Sequence, residues 1–322
     1  MLFEDLQTIS NKSNLGGKMK TIRHFRGITL LILSVLTLSL ATFNNALAQG
    51  AFGEIKGTVT DTKGAVVSGA TVEVTNDLTG EKRTVTTSES GDFSVTKLVV
   101  GKYTVSATQT GFAMATTKQV SVSVAFTTEV NLVLNPSGAE ATVTIQTSDT
   151  VTQVNTNDQQ LSTLLDNKKI LDLPLLSRDP NGLILLSPGT SQTNSGLGGF
   201  VVNGSRERNN NFRIDGVDNN DTEVPGIPGG LATPNIDATQ EFRVLTGSFN
   251  AEYGRNTGAI ITIATRYGTN DFHGGAYLYY RSDAFAARNF FDTSGSPDPL
   301  QRRQFGASIG GPIKREKAFF FI

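Results

Sequence analysis

The chain has 322 residues, a formal net charge of −1 and no cysteine. That length is enough for two or more domains, and the near-zero charge supplies no field favouring nucleic acid or anionic lipid. Disulfides and thiolate metal sites are excluded outright, and sparse charge with plentiful Gly, Thr, Asn and Ser favours β structure with many turns over helical bundles.

The chain opens on a three-part leader. Lys18, Lys20, Arg23 and Arg26 precede an apolar run from Ile28 to Ala41, and Ala46-Leu47-Ala48 forms a small-x-small cleavage signal before Gln49. This is the grammar of a secretory signal peptide. A transmembrane anchor is the alternative, but the run is shorter than the ~20 residues a spanning helix needs. Met19 is a candidate start, because residues 1–18 add polar sequence that a signal peptide does not use. Residues 1–48 are therefore expected to direct the mature chain out of the cytoplasm.

Residues 49–135 read as a β-sandwich of about seven short strands at regular spacing. The expected strands are Ile55–Thr60, Ala70–Thr75, Arg83–Thr87, Phe93–Val95, Gly101–Ala107, Val120–Val124 and Thr128–Leu134. Tyr103, Val105 and Ala107 share one face of the clearest strand, and the inward positions are β-branched or aromatic, as a small sandwich core requires. The stretches GTVTDTKGAVVSGATVEV and GDFSVTKLVVGKYTVSATQTGF resemble the carboxypeptidase regulatory-like domain. That resemblance implies an Ig-like accessory module, with catalysis located elsewhere. Tyr103 and Phe112 are expected in the core and at a corner.

Residues 136–158 are a polar, Thr-rich linker holding one short alternating strand, Ala141–Ile145. Residues 159–268 then form a small turn-rich α+β unit. Asp158 is placed to cap a short helix carrying Leu161, Leu164 and Leu165. An apolar run through Leu173-Pro174-Leu175 to Arg178 follows, then Leu183–Leu186 and a Gly-rich loop over Ser191–Gly199. That loop satisfies neither common phosphate-binding pattern. Val201-Val202 and Phe212-Arg213-Ile214 are short apolar pieces set off by Asn203-Gly204 and Asp215-Gly216, dipeptides that tolerate positive φ in tight turns. Glu241–Leu245 and Ala259–Ala264 read as strands, with Gly254 and Gly258 as breaks. Asp215, Asp218 and Asp221 do not follow calcium-loop spacing and are expected in Asx turns. Arg206, Arg208 and Arg213 are interleaved with Asn and are expected at the contact with a polar barrel lumen rather than on nucleic acid.

The ordered set NGSRERNNNFRIDGVDNND and EFRVLTGSFNAEYGRNTGAIITIATRYGTNDFHG resembles the plug domain of TonB-dependent outer-membrane receptors, and within them the Oar-like receptors that carry an N-terminal Ig-like domain. On that resemblance the plug motif comprises Asn203, Gly204, Arg206, Asn211, Phe212, Asp215, Gly216, Val217, Glu241, Tyr253, Gly254 and Gly258. The resemblance also makes Thr142, Val143, Thr144 and Ile145 the segment offered to a TonB-like energy-coupling protein, by adding a strand to its sheet edge. The alternatives there are a linker strand or an edge of the plug.

Residues 269–322 read as barrel wall. Phe272–Arg281 has the length of a tilted membrane strand. In Gln304–Gly310, Phe305, Ala307 and Ile309 alternate with Gln304, Gly306 and Ser308, the apolar-out, polar-in dyad of such a wall. A long polar loop, Ser282–Arg303, separates the two. A short turn, Gly311–Glu316, leads to a third strand from Lys317. Two strands and a fragment cannot close a barrel, so the chain is expected to be a split or truncated product. The stretch QFGASIGGPIKREKAFFF also resembles the first barrel hairpin of the same receptors.

The expected fold is thus mainly β: an Ig-like sandwich, a small α+β plug and the start of an antiparallel transmembrane barrel. The implied function is energised uptake of a scarce solute, siderophore- or oligosaccharide-like, at the outer membrane, with sandwich and plug on the periplasmic side. The implied partners are a TonB-like protein, outer-membrane lipid and that solute. A secreted adhesion or binding protein with an Ig-like domain is the alternative. No catalytic, cofactor or metal residue is expected: beyond the leader the chain has one histidine, His273, so neither a multi-histidine zinc site nor a Cys–His pair can be assembled.

Overall fold

In the computed structural model the described residues are 52–137, the backbone of 144–146, and 159–322 apart from 174, 176–177, 194–198, 225–226, 228, 251, 255, 288–290 and 292–298. They belong to one compact unit, Gln49–Ile322. The leader, Asp158, Pro174, Thr142 and Val143 lie outside the described residues.

The first domain is two facing sheets. Strands β1 (Phe52–Asp61) and β4 (Asp92–Val99) pair antiparallel, and β1 also takes β7 (Thr127–Glu129) and β8 (Leu132–Leu134) in parallel on its other edge. The second sheet runs β3 (Lys82–Thr86), β2 (Thr71–Asn76), β5 (Gly101–Thr108), β6 (Ala115–Val122), β9 (Thr144–Gln146). The stretch expected as one closing strand is two short pieces, because Val130-Asn131 breaks the ladder: Val130 donates its N–H to Lys56 O, and Asn131 Oδ1 accepts the Thr58 N–H. Between the sheets lie Ile55, Val59, Val72, Val74, Tyr103, Val105 and Ala107, the alternating inward set of β1, β2 and β5. Tyr103 is 3 % exposed, and its hydroxyl donates to Val99 O at 2.7 Å, so burying the ring leaves no polar atom unpaired.

The second domain is a five-stranded mixed sheet in the order β10 (Leu161–Asp166), β15 (Thr239–Gly247), β16 (Ile260–Thr265), β13 (Asn211–Ile214), β14 (Val217–Asp218). A small hairpin, β11 (Thr190–Gln192) and β12 (Phe200–Val202), lies outside it, so Ser191 and Gln192, at the start of the expected Gly-rich loop, are strand. In β16, Ile260, Ile261 and Ile263 are all buried, because the strand is central and covered on both faces; such strands read as continuous apolar runs.

The helix expected over Leu161–Leu165 is a strand instead. Leucines at i, i+3 and i+4 fit a helix, but β10 completes the β15 ladder through Ser162–Asp166. The helix, α1 (Asn167–Asp172), begins one step later, capped by Asp166, whose side chain accepts the Lys169 N–H at 2.8 Å. Local periodicity lost to the pairing that an open β15 edge offers.

The third element is a meander: β17 (His273–Ser282), β18 (Gln301–Lys314) and β19 (Ala318–Phe321), all antiparallel. The expected turn at Gly311–Glu316 starts later, since β18 runs on to Lys314 and Glu316 takes the positive φ of 61°.

Candidate functional site

The meander separates its side chains by face. Leu278 pairs with Phe305 and Ala276 with Ala307, and all four point away from the rest of the chain. Leu278 is 72 % exposed and Phe305 80 %. The opposite face carries Tyr277, Tyr279, Gln304 and Gly306, and it meets the second domain. The expected dyad of Phe305, Ala307 and Ile309 against Gln304, Gly306 and Ser308 is therefore present in the folded chain.

Arg178 pins this seam. Its guanidinium lies 3.6 Å from the Tyr279 ring centroid and 5.5 Å from that of Tyr277, and it is ion-paired to Asp237 at 2.8 Å. Both partners of that pair are largely buried, so water screens it little. Asn235 Nδ2 donates to Tyr277 Oη at 2.7 Å. A polar cleft of about 310 Å³, lined by Arg178, Thr233, Tyr277, Arg302 and Gln304, runs along the seam. The arginines expected at a plug-to-wall contact lie elsewhere on the second domain. Arg213 donates to Gly216 O and sits over the Tyr253 ring, Arg206 precedes the one-turn helix Glu207–Asn209 at its N-cap, and Arg208 lies within it. Sequence position alone did not single out Arg178, which enters only as the end of the apolar run.

The motif residues build the plug-like sheet and its turns. Asn203 and Gly204 have φ of 49° and 74°, Asp215 and Gly216 of 48° and 80°. The second pair joins β13 to β14 as a two-residue turn, with Ile214 opposite Val217. Asp215 also accepts the Thr265 N–H at 2.8 Å and its hydroxyl at 2.7 Å, tying the turn to the end of β16. The carboxylates of Asp218 and Asp221 accept nearby N–H groups of Asn220, Glu223 and Val224, as Asx turns do. Phe212 is in the core. Asn203 Nδ2 donates to Thr246 O, and Asn211 reaches Gly254 O. Burial pushes the Tyr253 hydroxyl up.

Gly258 lies against the Asn209 carbonyl and the side chains of Asn210 and Ser205, where a Cβ has no room. Asn210, unremarked in the sequence, holds that corner: Oδ1 accepts the Ala259 N–H at 2.9 Å while Nδ2 donates to Phe200 O at 2.7 Å. Asn219 does the same for the following loop, accepting from Ala232 N and donating to Gly229 O and Ala232 O. Asn-rich stretches carry that signal only as turn propensity. The loops they tie lie far apart in sequence.

Glu241 does something the motif does not suggest. With Arg243 it clasps the sandwich. Glu241 Oε2 accepts the Val124 N–H at 2.9 Å, and Arg243 Nη1 donates to Val124 O at 2.9 Å and Ala125 O at 2.7 Å. The Arg243 guanidinium lies over the Phe126 ring at 4.8 Å. Val100, Val124 and Ala264 close an apolar patch beside it, and Tyr267 Oη donates to Val100 O at 2.7 Å. Burial pushes the Glu241 carboxyl up to about 7, against the opposing pull of the Val124 N–H and of Arg243. Among the described residues no group of His, Asp and Glu is placed to hold a metal, and no helix is long and apolar enough to cross a membrane, which says nothing of crossing by strands.

Residues 264–322 match the family described as outer membrane beta barrel domain, and residues 54–135 the carboxypeptidase regulatory-like domain. The chain is 28% identical over 258 residues to the TonB-dependent transporter Oar of Myxococcus xanthus, an alignment covering 76% of this chain and 24% of that protein. This chain resembles a TonB-dependent transporter of the Oar kind. It spans about a quarter of the length of that curated relative. Among solved structures, the siderophore receptor PirA from Acinetobacter baumannii is similar at 19% identity and a TM-score of 0.37, over 48% of this chain and 22% of that one. The Bacillus anthracis TIE protein is similar at 26% identity and a TM-score of 0.23, over 27% and 17%. The barrel-domain match and the transporter relative place the chain at the outer membrane.

Proposed function

We propose that the chain works as part of a TonB-dependent transport receptor. The meander is the first stretch of barrel wall. Residues 159–268 are the plug seated against its inner face. Residues 49–135 are a periplasmic accessory domain clasped to the plug, and 136–158 is the linker that offers a strand to the energy-coupling protein. The transported solute is scarce and siderophore- or oligosaccharide-like. Residues 1–48 serve as the export signal.

The observation that carries this reading is the sidedness of the meander. Leu278 and Phe305 stand exposed on one face while the other meets Arg178 and Asn235 of the plug. A water-facing meander has no reason to expose paired large apolar side chains, whereas a wall bathed in hydrocarbon does. Single cysteines at Phe305 and Ser308, in a chain with no other thiol, test it. With the protein in lipid vesicles, a membrane-soluble maleimide should label position 305 and a water-soluble one should not, and position 308 should be shielded from lipid. Equal labelling of both positions by the water-soluble reagent would reduce the meander to a soluble domain and favour a secreted binding protein.

A further inference from the structure

Two of the four residues expected to reach the coupling partner, Thr144 and Ile145, are not free in this structure. They belong to β9, Thr144–Gln146, which lies in parallel on the edge of sandwich strand β6, with Thr144 opposite Thr116, Ile145 opposite Thr117 and Gln146 opposite Lys118. It is the last strand of that sheet. Without it β6 would end the sheet and present unpaired N–H and C=O groups, the kind of edge that recruits any extended strand.

The chain is also delivered to this edge. On leaving β8, Asn135 O accepts the Ala113 N–H at 2.7 Å and the Ser137 N–H donates to Gly111 O at 2.9 Å, which fixes the exit point beside the start of β6. Thr144 follows Ser137 by only seven positions. A tether that short keeps the strand at high local concentration about the edge it pairs with.

We propose that the β6 edge is a docking surface for this segment, and that the accessory domain thereby withholds the coupling strand from its partner. The inference rests on the reading of 136–158 as the coupling linker. Strand addition by a TonB-like protein and pairing with β6 both draw on the backbone of Thr144 and Ile145. A partner that draws the segment away from the sandwich must break the β6 ladder first. The apparent affinity for the partner is then the intrinsic one reduced by the fraction of molecules in which β9 has left β6.

The register supplies the test. Thr117 and Ile145 are directly opposite, adjacent strands lie about 4.8 Å apart, and a disulfide bridges such a separation. In the full chain carrying T117C and I145C, the binding of a purified periplasmic domain of TonB is measured oxidised and reduced. Amide exchange at Thr116–Lys118 is followed in the unmodified chain as the same domain is added. The expected results are binding at least about tenfold weaker in the oxidised form, recovered on reduction, and faster exchange along β6 as the partner removes β9. Equal binding in both redox states, or unchanged β6 exchange, overturns the withholding and leaves the receptor reading standing. Failure of the disulfide to form overturns the register. Absence of binding by the unmodified chain overturns the coupling role of the linker, and the inference with it.

Discussion

Replacing Arg243 by Met should uncouple the sandwich from the plug. Arg243 is 4 % exposed. Its two hydrogen bonds to Val124 O and Ala125 O carry a formal charge on the donor, and such bonds contribute about 1.5–3 kcal/mol each. The contact with the Phe126 ring adds about 1 kcal/mol. Met fills much of the volume and restores some apolar contact, but it leaves two carbonyls without a donor. It also leaves the Glu241 carboxylate without the neighbouring positive charge. The net loss is about 3–4 kcal/mol, within the range for breaking a buried charged pair. The assay is equilibrium unfolding in urea of the mature chain in detergent. At a slope of about 2 kcal/mol/M the midpoint of the transition that includes this interface should fall by roughly 1.5–2 M. Amide exchange at Val124–Phe126 should rise in step, while Val72 and Val105 in the sandwich core keep their protection. A midpoint shift under about 0.3 M, with Val124 still protected, would show that Arg243 contributes little and that the apolar patch of Val100, Val124 and Ala264, with the bonds Tyr267 and Glu241 make across it, holds the domains.

The same interface should loosen as pH rises. The Glu241 carboxyl sits at about 7 in the folded chain, above its ordinary value of 4.5, so between those values the folded state binds the extra proton. Its contribution is fully present below pH 4.5 and is lost as pH climbs through 7, by about 3 kcal/mol across the window; Glu241→Gln should flatten that slope in a stability–pH profile. Arg178→Ala should cost about 2–4 kcal/mol at the plug–wall seam by stranding Asp237 and unstacking Tyr279. Arg178→Lys should recover only part of this, because an ammonium does not stack as a planar guanidinium does; hydrogen exchange along β17 reads both. Gly216→Ala, at φ +80°, should destabilise the β13–β14 turn by about 1–2 kcal/mol without moving the sandwich, seen as a lower thermal midpoint for the plug alone. Leu278→Arg should cost about 2–4 kcal/mol in lipid if it lies near the bilayer midplane, and Ser308→Arg on the inner face much less, measured by reversible unfolding from vesicles.

Much of the architecture was written in local patterns. Alternation in Thr71–Asn76, Gly101–Thr108 and Gln304–Gly310 depends only on a two-residue period; the first two strands bury their apolar faces, and the third turns its apolar face outward and its polar face toward the second domain. Asn203-Gly204 and Asp215-Gly216 sit in turns of positive φ because few other residues enter that region cheaply. These features follow from nearest neighbours along the chain, so the sequence alone carries them.

What the tertiary structure decided is partnership. Leu161–Leu165 has a helical spacing and is a strand, because β15 had an edge to fill. Arg178 stands between Ser177 and Asp179 and Arg243 between Phe242 and Val244, and nothing in either setting names the partner: only the fold sends one to the barrel wall and the other to the sandwich. Glu241 reads as an ordinary strand residue, and its raised carboxyl exists only because the packing of the sandwich, more than a hundred residues earlier, buries it, against the opposing pull of the Val124 N–H. Long-range contacts of this kind depend on how three separately legible domains pack, and no local period encodes that packing.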